Sequence, residues 1–407
     1  MRNADPSPVM PMSRPVDSRS PFVRLTELLG ETPPGKPPIS LAVGEPQHPI
    51  PPFVGPVLMQ NLALFGKYPP NKGTNACCEA AAGWLNRRYS LPRPVDPVRE
   101  VLILSGTREG LFLAAIAAKR FVKPRAGKPA VLIPNPFYAV YAAGAIAADC
   151  EPVYLPTTAE TGFLPDLDAL SDELLSRTVA MFIASPSNPQ GAVASADYLA
   201  RVVALARRFG FLVLSDECYS EIYSYDPPGG MLQAAGSDFS NVVVFHSLSK
   251  RSSLPGLRVG FAAGDPDFLK LYLDLRAVAA PQIPIPAQEV AVAAYNDETH
   301  VEESRRLYTA KFDLADQIIG GRFNYRRPAG GFFLWLDVSQ VCSDEEATLR
   351  LWRDAGVRVV PGSYVARTGS DGRNPGEGYI RVAMVHDYET TSEALHRLMA
   401  VLDPAGR

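Results

Sequence analysis

The chain has 407 residues, more than one ordinary hydrophobic core organises, and this length favours a large domain with a smaller one beside it. Hydrophobic residues make up 46% and charged residues 20%, as in globular proteins, and the net charge of -3 argues against nucleic acid, which usually meets a basic face. No apolar run reaches the length of a membrane-spanning helix, which argues against a membrane partner.

The first 22 residues contain neither the apolar core nor the small-residue cleavage site of a signal peptide, so they predict a cytoplasmic protein. Their prolines and serines favour an extended or disordered arm. The five cysteines include the adjacent pair Cys77 and Cys78, and they fit neither a disulfide framework nor a metal site. We therefore expect reduced thiols and no bound metal.

Residues 100–265 alternate short apolar runs with longer amphipathic stretches. The short runs are continuous and mostly β-branched or aromatic, which is typical of strands buried on both faces. They lie at 101–104, 131–133, 181–184, 211–214, 242–245 and 259–263. Helical patterns lie between them, for example at 111–121 and 196–210. The alternation predicts an α/β fold with a mostly parallel sheet covered by helices.

The last third of the chain predicts a smaller α+β unit. Residues 287–320 are expected to be largely helical, and the remaining pattern predicts strands at 330–338, 357–362 and 379–385 and an amphipathic helix at 390–402. We place the large domain at residues 46–290 and the small domain at 291–407. Residues 1–45 are assigned to an N-terminal arm and part of the small domain.

Polar residues cluster where four of the predicted strands end. The clusters are Ser105-Gly106-Thr107, Ser185 to Pro189, Ser215 to Tyr219 and His246 to Lys250. Because ligands of open α/β sheets bind at the carboxyl ends of the strands, four such clusters in succession indicate one shared site.

Each of these features has a plain structural interpretation beside the functional one. Glycine with hydroxyl residues at a helix start, as in Ser105-Gly106-Thr107, suits a phosphate group or an ordinary cap. Asp216 follows a buried strand and needs a cationic ligand, unless it caps a helix or forms a salt bridge. Lys250 is either a partly desolvated nucleophile or an exposed loop lysine. Arg381 lies in an apolar strand pattern and pairs with a substrate carboxylate or with a structural glutamate.

Five motifs in order resemble the fold-type I enzymes that use pyridoxal phosphate (PLP), and among these the class I and II aminotransferases. They are Asn188-Pro189-x-Gly191, Asp216-x-x-Tyr219, Ser247-x-Ser249-Lys250, Gly256-x-Arg258-x-Gly260 and Arg381. The resemblance covers nearly the whole chain. It implies an α/β protein with the PLP-dependent transferase fold of type I, in which the large domain has a mostly parallel seven-stranded sheet. It also implies an aminotransferase with PLP as its cofactor.

The resemblance implies a role for each matched residue, with Lys250, Asp216 and Tyr219 as catalytic residues. Lys250 would bind the cofactor as a Schiff base and later carry the proton between the substrate α-carbon and the cofactor carbon C4′. Asp216 would keep the pyridine nitrogen protonated. Asn188 and Tyr219 would hydrogen-bond the phenolic oxygen, and Asn188 would also contact the substrate. Arg381 would hold the substrate α-carboxylate.

Other positions of the motifs imply contacts to the phosphate, the ring and a second subunit. The phosphate would be bound by Gly106, Thr107, Ser247, Ser249 and Arg258. Tyr138 would stack on the pyridine ring, and Arg108 would contact either the phosphate or the substrate. Gly44 matches the family's N-terminal turn, whose glycine lies near the substrate carboxylate. Tyr68 matches a tyrosine that reaches the phosphate of the neighbouring subunit, which implies a homodimer.

Short strings indicate the substrate. Residues 135–141, 360–367, 374–376 and 380–383 resemble the N-succinyldiaminopimelate aminotransferases of bacterial lysine biosynthesis, whose co-substrate pair is glutamate and 2-oxoglutarate. The distal carboxylate of such a substrate would meet a cation, for which the candidates are Arg24, Arg108 and Arg367. An aspartate or broad-specificity aminotransferase is the alternative, and a PLP-dependent lyase or decarboxylase is a further one. A regulator that senses PLP fits less well, because the N-terminus is too short for a winged-helix domain.

Overall fold

The computed structural model describes residues 20–124, 127–369 and 371–403. Most of the predicted N-terminal arm lies outside these residues. The prediction of an extended or disordered arm is wrong at residues 21–22, because Ser20 caps a helix that begins at Pro21. The helices in chain order are α1 (Pro21–Leu29), α2 (Val54–Gln60), α3 (Asn75–Tyr89), α4 (Thr107–Phe121), α5 (Ala139–Ala147), α6 (Asp172–Arg177), α7 (Ala196–Phe209), α8 (Met231–Ala235), α9 (Leu248–Arg251), α10 (Pro266–Ala279), α11 (Ile285–Asn296), α12 (Thr299–Ile318), α13 (Asp344–Ala355) and α14 (Tyr388–Leu402). The strands are β1 (Ile39–Ser40), β2 (Val101–Leu104), β3 (Ala130–Asn135), β4 (Glu151–Pro156), β5 (Thr178–Ala184), β6 (Leu212–Asp216), β7 (Val242–Ser247), β8 (Gly260–Gly264), β9 (Phe333–Asp337), β10 (Val357–Arg358), β11 (Val360–Pro361) and β12 (Tyr379–Ala383).

Within the described residues, seven strands form the central sheet in the order β2-β8-β7-β6-β5-β3-β4. Neighbours run parallel except at β8, which is antiparallel to both β2 and β7. The predicted mostly parallel sheet is therefore confirmed, and six of its strands lie where the apolar runs are. The sequence analysis missed β4, an edge strand that contains two prolines and is only half-buried along most of its length. Proline lacks the N–H donor that an inner strand needs, so an edge position tolerates it.

The inner strands are buried on both faces, as their continuous apolar runs predict. Val101 and Ile103 of β2 join a core that also contains residues of α3, α7 and α11. Leu102 and Leu104 point to the opposite face and join a core with α4, α5 and α10. Because both faces are covered, the carboxyl ends of the strands are left as the place where polar side chains can gather.

A separate core connects the N-terminal strand to the last third of the chain. Helices α12, α13 and α14 contribute to it together with strands β12 and β9 of the antiparallel sheet β11-β12-β9 and with the parallel pair β1-β10. Ile39 and Leu41 lie in this core beside residues that come more than 250 positions later, such as Phe333. The domain limits proposed above stay a prediction, which this separation of the cores supports.

Two predicted segments of this unit need correction. The helical stretch 287–320 is two helices, α11 and α12, that meet at Asp297 and Glu298. The strand predicted at 357–362 is two short strands, β10 and β11, which pair in different sheets. Among the helices of the described residues, none combines the length and the apolar character needed to cross a membrane.

Candidate active site

The four polar clusters do meet at one edge of the central sheet. The hydroxyl oxygen of Thr107, in the first turn of α4, lies 3.2 Å from the sulfur atom of Cys218. The Cys218 backbone N–H in turn donates to Asp216 at 3.2 Å. Arg381 of the small sheet donates to Asn188 beyond the end of β5. The ends of β2 and β6 are thus linked to each other, and Asn188 connects the end of β5 with β12 from the other core. The backbone N–H of Ser185 joins β5 to β6 by donating to the carbonyl oxygen of Asp216 at 3.2 Å. The fourth cluster follows β7, which pairs in parallel with β6.

The start of α4 is shaped to receive an anion. Its N-cap is Gly106, which has a φ of 74° and carries no side chain to occupy the N–H groups of the first turn. A Cβ atom on Gly106 would lie 2.1 Å from Nη2 of Arg258, so glycine lets the guanidinium approach the helix end. An exposed arginine over free helical N–H groups is a phosphate-binding arrangement. The simple cap considered for Ser105-Gly106-Thr107 does not describe this helix start.

The hydroxyl groups of Ser247 and Ser249 lie beside each other after β7. Ser247 Oγ accepts from the backbone N–H of Ser249 at 3.1 Å and lies 2.9 Å from the Ser249 hydroxyl. The site edge therefore combines two hydroxyls with the cation of Arg258. This donor set suits a phosphate group.

Asp216 is buried at the end of β6, and both of its described partners are neutral donors. Its Oδ2 accepts from the Tyr141 hydroxyl at 2.7 Å, and its Oδ1 accepts from the Cys218 backbone N–H at 3.2 Å. Burial raises the pKa of Asp216, while the hydrogen bonds from Tyr141 and Cys218 oppose the rise. The carboxylate is therefore held in place without a cation, which leaves room for one supplied by a ligand.

Lys250 is half-buried on α9, and its amine donates to the carbonyl oxygen of Gly44. The Nζ atom lies 5.2 Å from the centre of the Phe332 ring. Burial lowers the pKa of Lys250 to about 8, and the charge of Arg381 acts in the same direction. A larger fraction of neutral amine is then present near neutral pH than on an exposed lysine, as a nucleophile requires. The alternative of an exposed loop lysine is wrong.

Arg381 is 6% exposed on β12, and its described partners are again neutral. Its guanidinium donates to Asn188 Oδ1 at 3.2 Å and to the carbonyl oxygen of Ala42 at 2.8 Å. Its Nε atom is buried and has no hydrogen-bond partner among the described residues. The structural Arg–Glu pair considered from the sequence is therefore absent from the part of the chain that the structure describes. A buried guanidinium with an unused donor is suited to a ligand carboxylate.

Two aromatic residues line the space between these charges. Burial raises the pKa of Tyr219, and the positive charge of Arg381 opposes that rise. Tyr138 accepts a hydrogen bond from Nε of Arg108 at 2.7 Å, and Arg108 is an exposed residue. Arg108 therefore lies at the rim of the site, above Tyr138.

The remaining predicted residues lie in different surroundings. Gly44 contacts Lys250 and packs so closely that a Cβ atom would lie 2.6 Å from Phe333. Tyr68 is 97% exposed, so a single chain does not bring it into the site. Arg24 stacks on Tyr364, with 3.7 Å from Cζ to the ring centre. Arg367 lies 5.4 Å from the centre of the Phe137 ring.

Sequence reasoning missed two site residues, Tyr141 and Cys218. Tyr141 is buried and stacks on Phe182 with 4.4 Å between ring centres, so by pattern it is indistinguishable from a core residue of α5. Only the structure reveals that its hydroxyl meets Asp216. Cys218 lies between two predicted site residues, and this position in the sequence was the signal that could have identified it.

Comparison with known proteins gives consistent results. A family model described as aminotransferase class I and II matches residues 36–398. LL-diaminopimelate aminotransferase from Desulforudis audaxviator is 34% identical over 388 residues, covering 94% of this chain and 95% of that protein. An aminotransferase structure from Neisseria meningitidis has a TM-score of 0.88 and 38% identity, covering 94% of this chain and 98% of the other. The structure of a probable N-succinyldiaminopimelate aminotransferase from Thermus thermophilus has a TM-score of 0.82 and 26% identity, covering 94% and 100%.

Proposed function

The chain belongs to the class I and II aminotransferase family, and from this premise we propose that it transfers an amino group between N-succinyl-LL-diaminopimelate and 2-oxoglutarate. The fold of type I, the aminotransferase activity and the PLP cofactor predicted from the motifs are confirmed. The substrate, the roles of single residues and the homodimer are proposals. The observation that carries the residue roles is the convergence of Asp216, Lys250 and Arg381 on one space, where their direct hydrogen-bond partners among the described residues are neutral.

The residues present fit PLP. The phosphate would be held at the start of α4 by the N–H groups of Gly106 and Thr107, with Ser247, Ser249 and Arg258 around it. The hydrogen-bond partners of Asp216 among the described residues are neutral. A protonated ring nitrogen would supply the cation that its carboxylate needs. When bound, PLP supplies an electron sink for the substrate α-carbon. Asn188 and Tyr219 would donate to its phenolic oxygen, and Tyr138 would cover one face of the ring.

Lys250 would bind the cofactor and then act as the proton carrier. A pKa lowered to about 8 would let Nζ of Lys250 accept the proton of the substrate α-carbon and hold it for return to the bound ligand. Arg381 would hold the α-carboxylate with its guanidinium, whose Nε has no hydrogen-bond partner among the described residues. Gly44, whose carbonyl oxygen already contacts Lys250, would border the same carboxylate.

Arg108 is the candidate that best fits the distal end of the substrate. It is exposed at the rim of the site, where its Nε donates to the Tyr138 hydroxyl, whereas Arg24 and Arg367 stack on aromatic rings. The succinylated distal end carries two carboxylates, whereas the distal end of LL-diaminopimelate carries an ammonium and a carboxylate. A cation at this position therefore favours the succinylated substrate. The names of the curated relatives support LL-diaminopimelate itself as the second candidate.

A homodimer is supported by an apolar surface next to Tyr68. Met59, Leu62 and Phe65 lie on α2 and the following 3-10 helix and are between 48% and 70% exposed. Apolar side chains that are exposed together with a fully exposed tyrosine are typical of a protein–protein contact. A second subunit on this surface would carry Tyr68 to the phosphate of its neighbour, as the family motif implies.

The substrate is tested with the PLP-loaded protein and 2-oxoglutarate by following glutamate formation. We expect N-succinyl-LL-diaminopimelate to react faster than LL-diaminopimelate and aspartate, and Arg108→Gln to remove most of that preference. Lys250→Ala is the control for reaction that does not depend on the site. Fast reaction of aspartate without reaction of the succinylated substrate would refute the assignment. Release of ammonia or carbon dioxide in place of glutamate would identify a lyase or a decarboxylase.

A further inference from the structure

Lys311 on α12 is a charged residue buried outside the site described so far. It is 2% exposed and belongs to the largest fully buried side chains of the chain. Burial lowers its pKa to about 7, and the charge of Asp387 opposes that change. An ammonium group in such a place costs several kcal/mol unless its donors are satisfied.

All three donors of the ammonium group have acceptors, and none of these is a carboxylate. Nζ donates to the carbonyl oxygen of Met384 at 2.6 Å and to that of His386 at 2.9 Å. The third acceptor is Nε2 of His48 at 3.0 Å. Burial lowers the pKa of His48 to about 4, so the imidazole is neutral and its Nε2 can accept. Its Nδ1 then donates to the Ser304 hydroxyl at 3.2 Å.

These acceptors belong to the two segments that lead into the carboxylate end of the site. Met384 and His386 follow β12, the strand that carries Arg381. His48 lies four residues after Gly44, whose carbonyl oxygen accepts from Lys250. The segments also bond to each other, since the N–H of Gln47 donates to the carbonyl oxygen of Val385 at 3.2 Å. Lys311 connects both segments to α12.

Aromatic contacts connect His48 with Lys250, the lysine of the candidate active site. The His48 ring lies 4.4 Å from the ring of Tyr308, which stacks on Phe332 at 5.5 Å. Phe332 is the ring beneath Nζ of Lys250. The carbonyl oxygen of Phe332 also accepts from the N–H of Met384 at 2.9 Å, so the two contacts of Lys311 and Phe332 hold Met384 from both sides.

An apolar side chain of similar length could fill this space without the cost of burying a charge. The ammonium group adds what such a side chain cannot, which is three directed hydrogen bonds between segments distant in sequence. The bonds connect the segment that follows Gly44 with the segment that follows Arg381. We propose that Lys311 is a positioning residue for the substrate α-carboxylate, an inference that rests on the proposed function of Arg381.

The test compares Lys311→Met with Leu314→Ala in the PLP-loaded protein. Leu314 is a buried core residue of the same helix, so its truncation weakens the small core and leaves the hydrogen bonds of Lys311 in place. The half-reaction is followed by cofactor absorbance with L-glutamate and with its α-amide, L-isoglutamine. Hydrogen exchange at Gln47 and Met384 provides a readout that does not need activity.

For Lys311→Met we expect the KM for L-glutamate to rise about tenfold or more, since directed charge-assisted bonds are lost, with kcat within about threefold of the wild type. The reaction with L-isoglutamine, which lacks the α-carboxylate, should be no slower than in Leu314→Ala. Exchange at Gln47 and Met384 should be faster in Lys311→Met than in Leu314→Ala. Equal KM values and equal exchange in the two variants would overturn the proposal.

His48→Phe provides a second variant if Lys311→Met does not fold, because it keeps a ring on Tyr308 and removes the acceptor of Lys311 together with the donor to Ser304. It should raise the KM for L-glutamate in the same direction and leave the reaction with L-isoglutamine unchanged; an unchanged KM overturns the proposal. A wild-type protein that converts no amino donor would instead refute the proposed function. In that case faster exchange in Lys311→Met still supports the link between the two segments, and unchanged exchange rejects it.

Discussion

The hydrogen bond between Tyr141 and Asp216 gives a clear test of how the ring-binding carboxylate is controlled. Tyr141→Phe removes a hydroxyl 2.7 Å from Asp216 Oδ2 and keeps the ring that stacks on Phe182. Packing is therefore preserved, and the backbone N–H of Cys218 remains as the other described donor to the carboxylate. Because burial already raises the pKa of Asp216, loss of the Tyr141 donor raises it further.

The size of the effect follows from the kind of bond. A hydrogen bond to a charged group contributes about 1.5–3 kcal/mol. Its loss in Tyr141→Phe should therefore destabilise the ionised form of Asp216 by that amount and raise the pKa of the carboxyl further. Only the ionised carboxylate attracts a protonated ring nitrogen. Affinity for PLP is thus present above the pKa of Asp216 and is lost as pH falls through it.

The measurement is the dissociation constant of PLP for the cofactor-free protein, followed by absorbance across the acid and neutral range. In Tyr141→Phe the loss of affinity should begin at a higher pH than in the wild type. Tyr138→Phe is the matched control, because it removes a hydroxyl that meets Arg108 and leaves Asp216 untouched. If the acid limbs of Tyr141→Phe, Tyr138→Phe and the wild type coincide, Tyr141 does not control Asp216 and the reasoning fails.

Four shorter predictions address the other parts of the site. Gly106→Ala should weaken PLP binding about tenfold or more in a titration, because its Cβ would collide with Arg258; unchanged affinity would contradict the phosphate site. Arg381→Gln should raise the KM of the amino donor about 30-fold or more with PLP affinity retained, whereas an equal loss of both would point to misfolding. Tyr68→Phe should lower PLP affinity while sedimentation still shows a dimer, and wild-type affinity would place Tyr68 outside the site. The rate of PLP capture should increase as pH rises through about 8, because Lys250 reacts as the neutral amine; a pH-independent rate would exclude it as the nucleophile.

The sequence predicted those parts of the fold and the site that depend on local patterns. Continuous apolar runs located six strands of the central sheet, because burial on both faces removes the alternation of polar residues. The edge strand β4 was missed, since partial burial and two prolines leave no such run. Asp216 and Lys250 could be found because each comes shortly after a continuous apolar run, where a charge is out of place. Tyr141 could not be found, because the partner of its hydroxyl comes from a strand 75 positions away.

Lys311 is a second residue whose surroundings could not be predicted from the sequence. In the sequence it is one lysine in a helix with charged neighbours, for which exposure is the ordinary expectation. Its burial results from the packing of α12 against segments at both ends of the chain, His48 and Met384. A pattern within α12 contains no information on those acceptors. The contacts that position the site are therefore less visible in sequence than the groups that perform its chemistry.

The buried charges of the site connect stability with function. Asp216 and Arg381 are both buried, and within the described residues each is held by neutral groups in place of an opposite charge. A protein selected for stability alone would pair or replace them, because an uncompensated buried charge destabilises the folded state by about 3–5 kcal/mol. A ring cation and a substrate carboxylate are the two groups that would compensate them. Each ligand should therefore raise the melting temperature, and the gain from PLP should be smaller in Asp216→Asn, where no charge remains to be compensated. Equal gains in the two proteins would mean that Asp216 does not meet the ring.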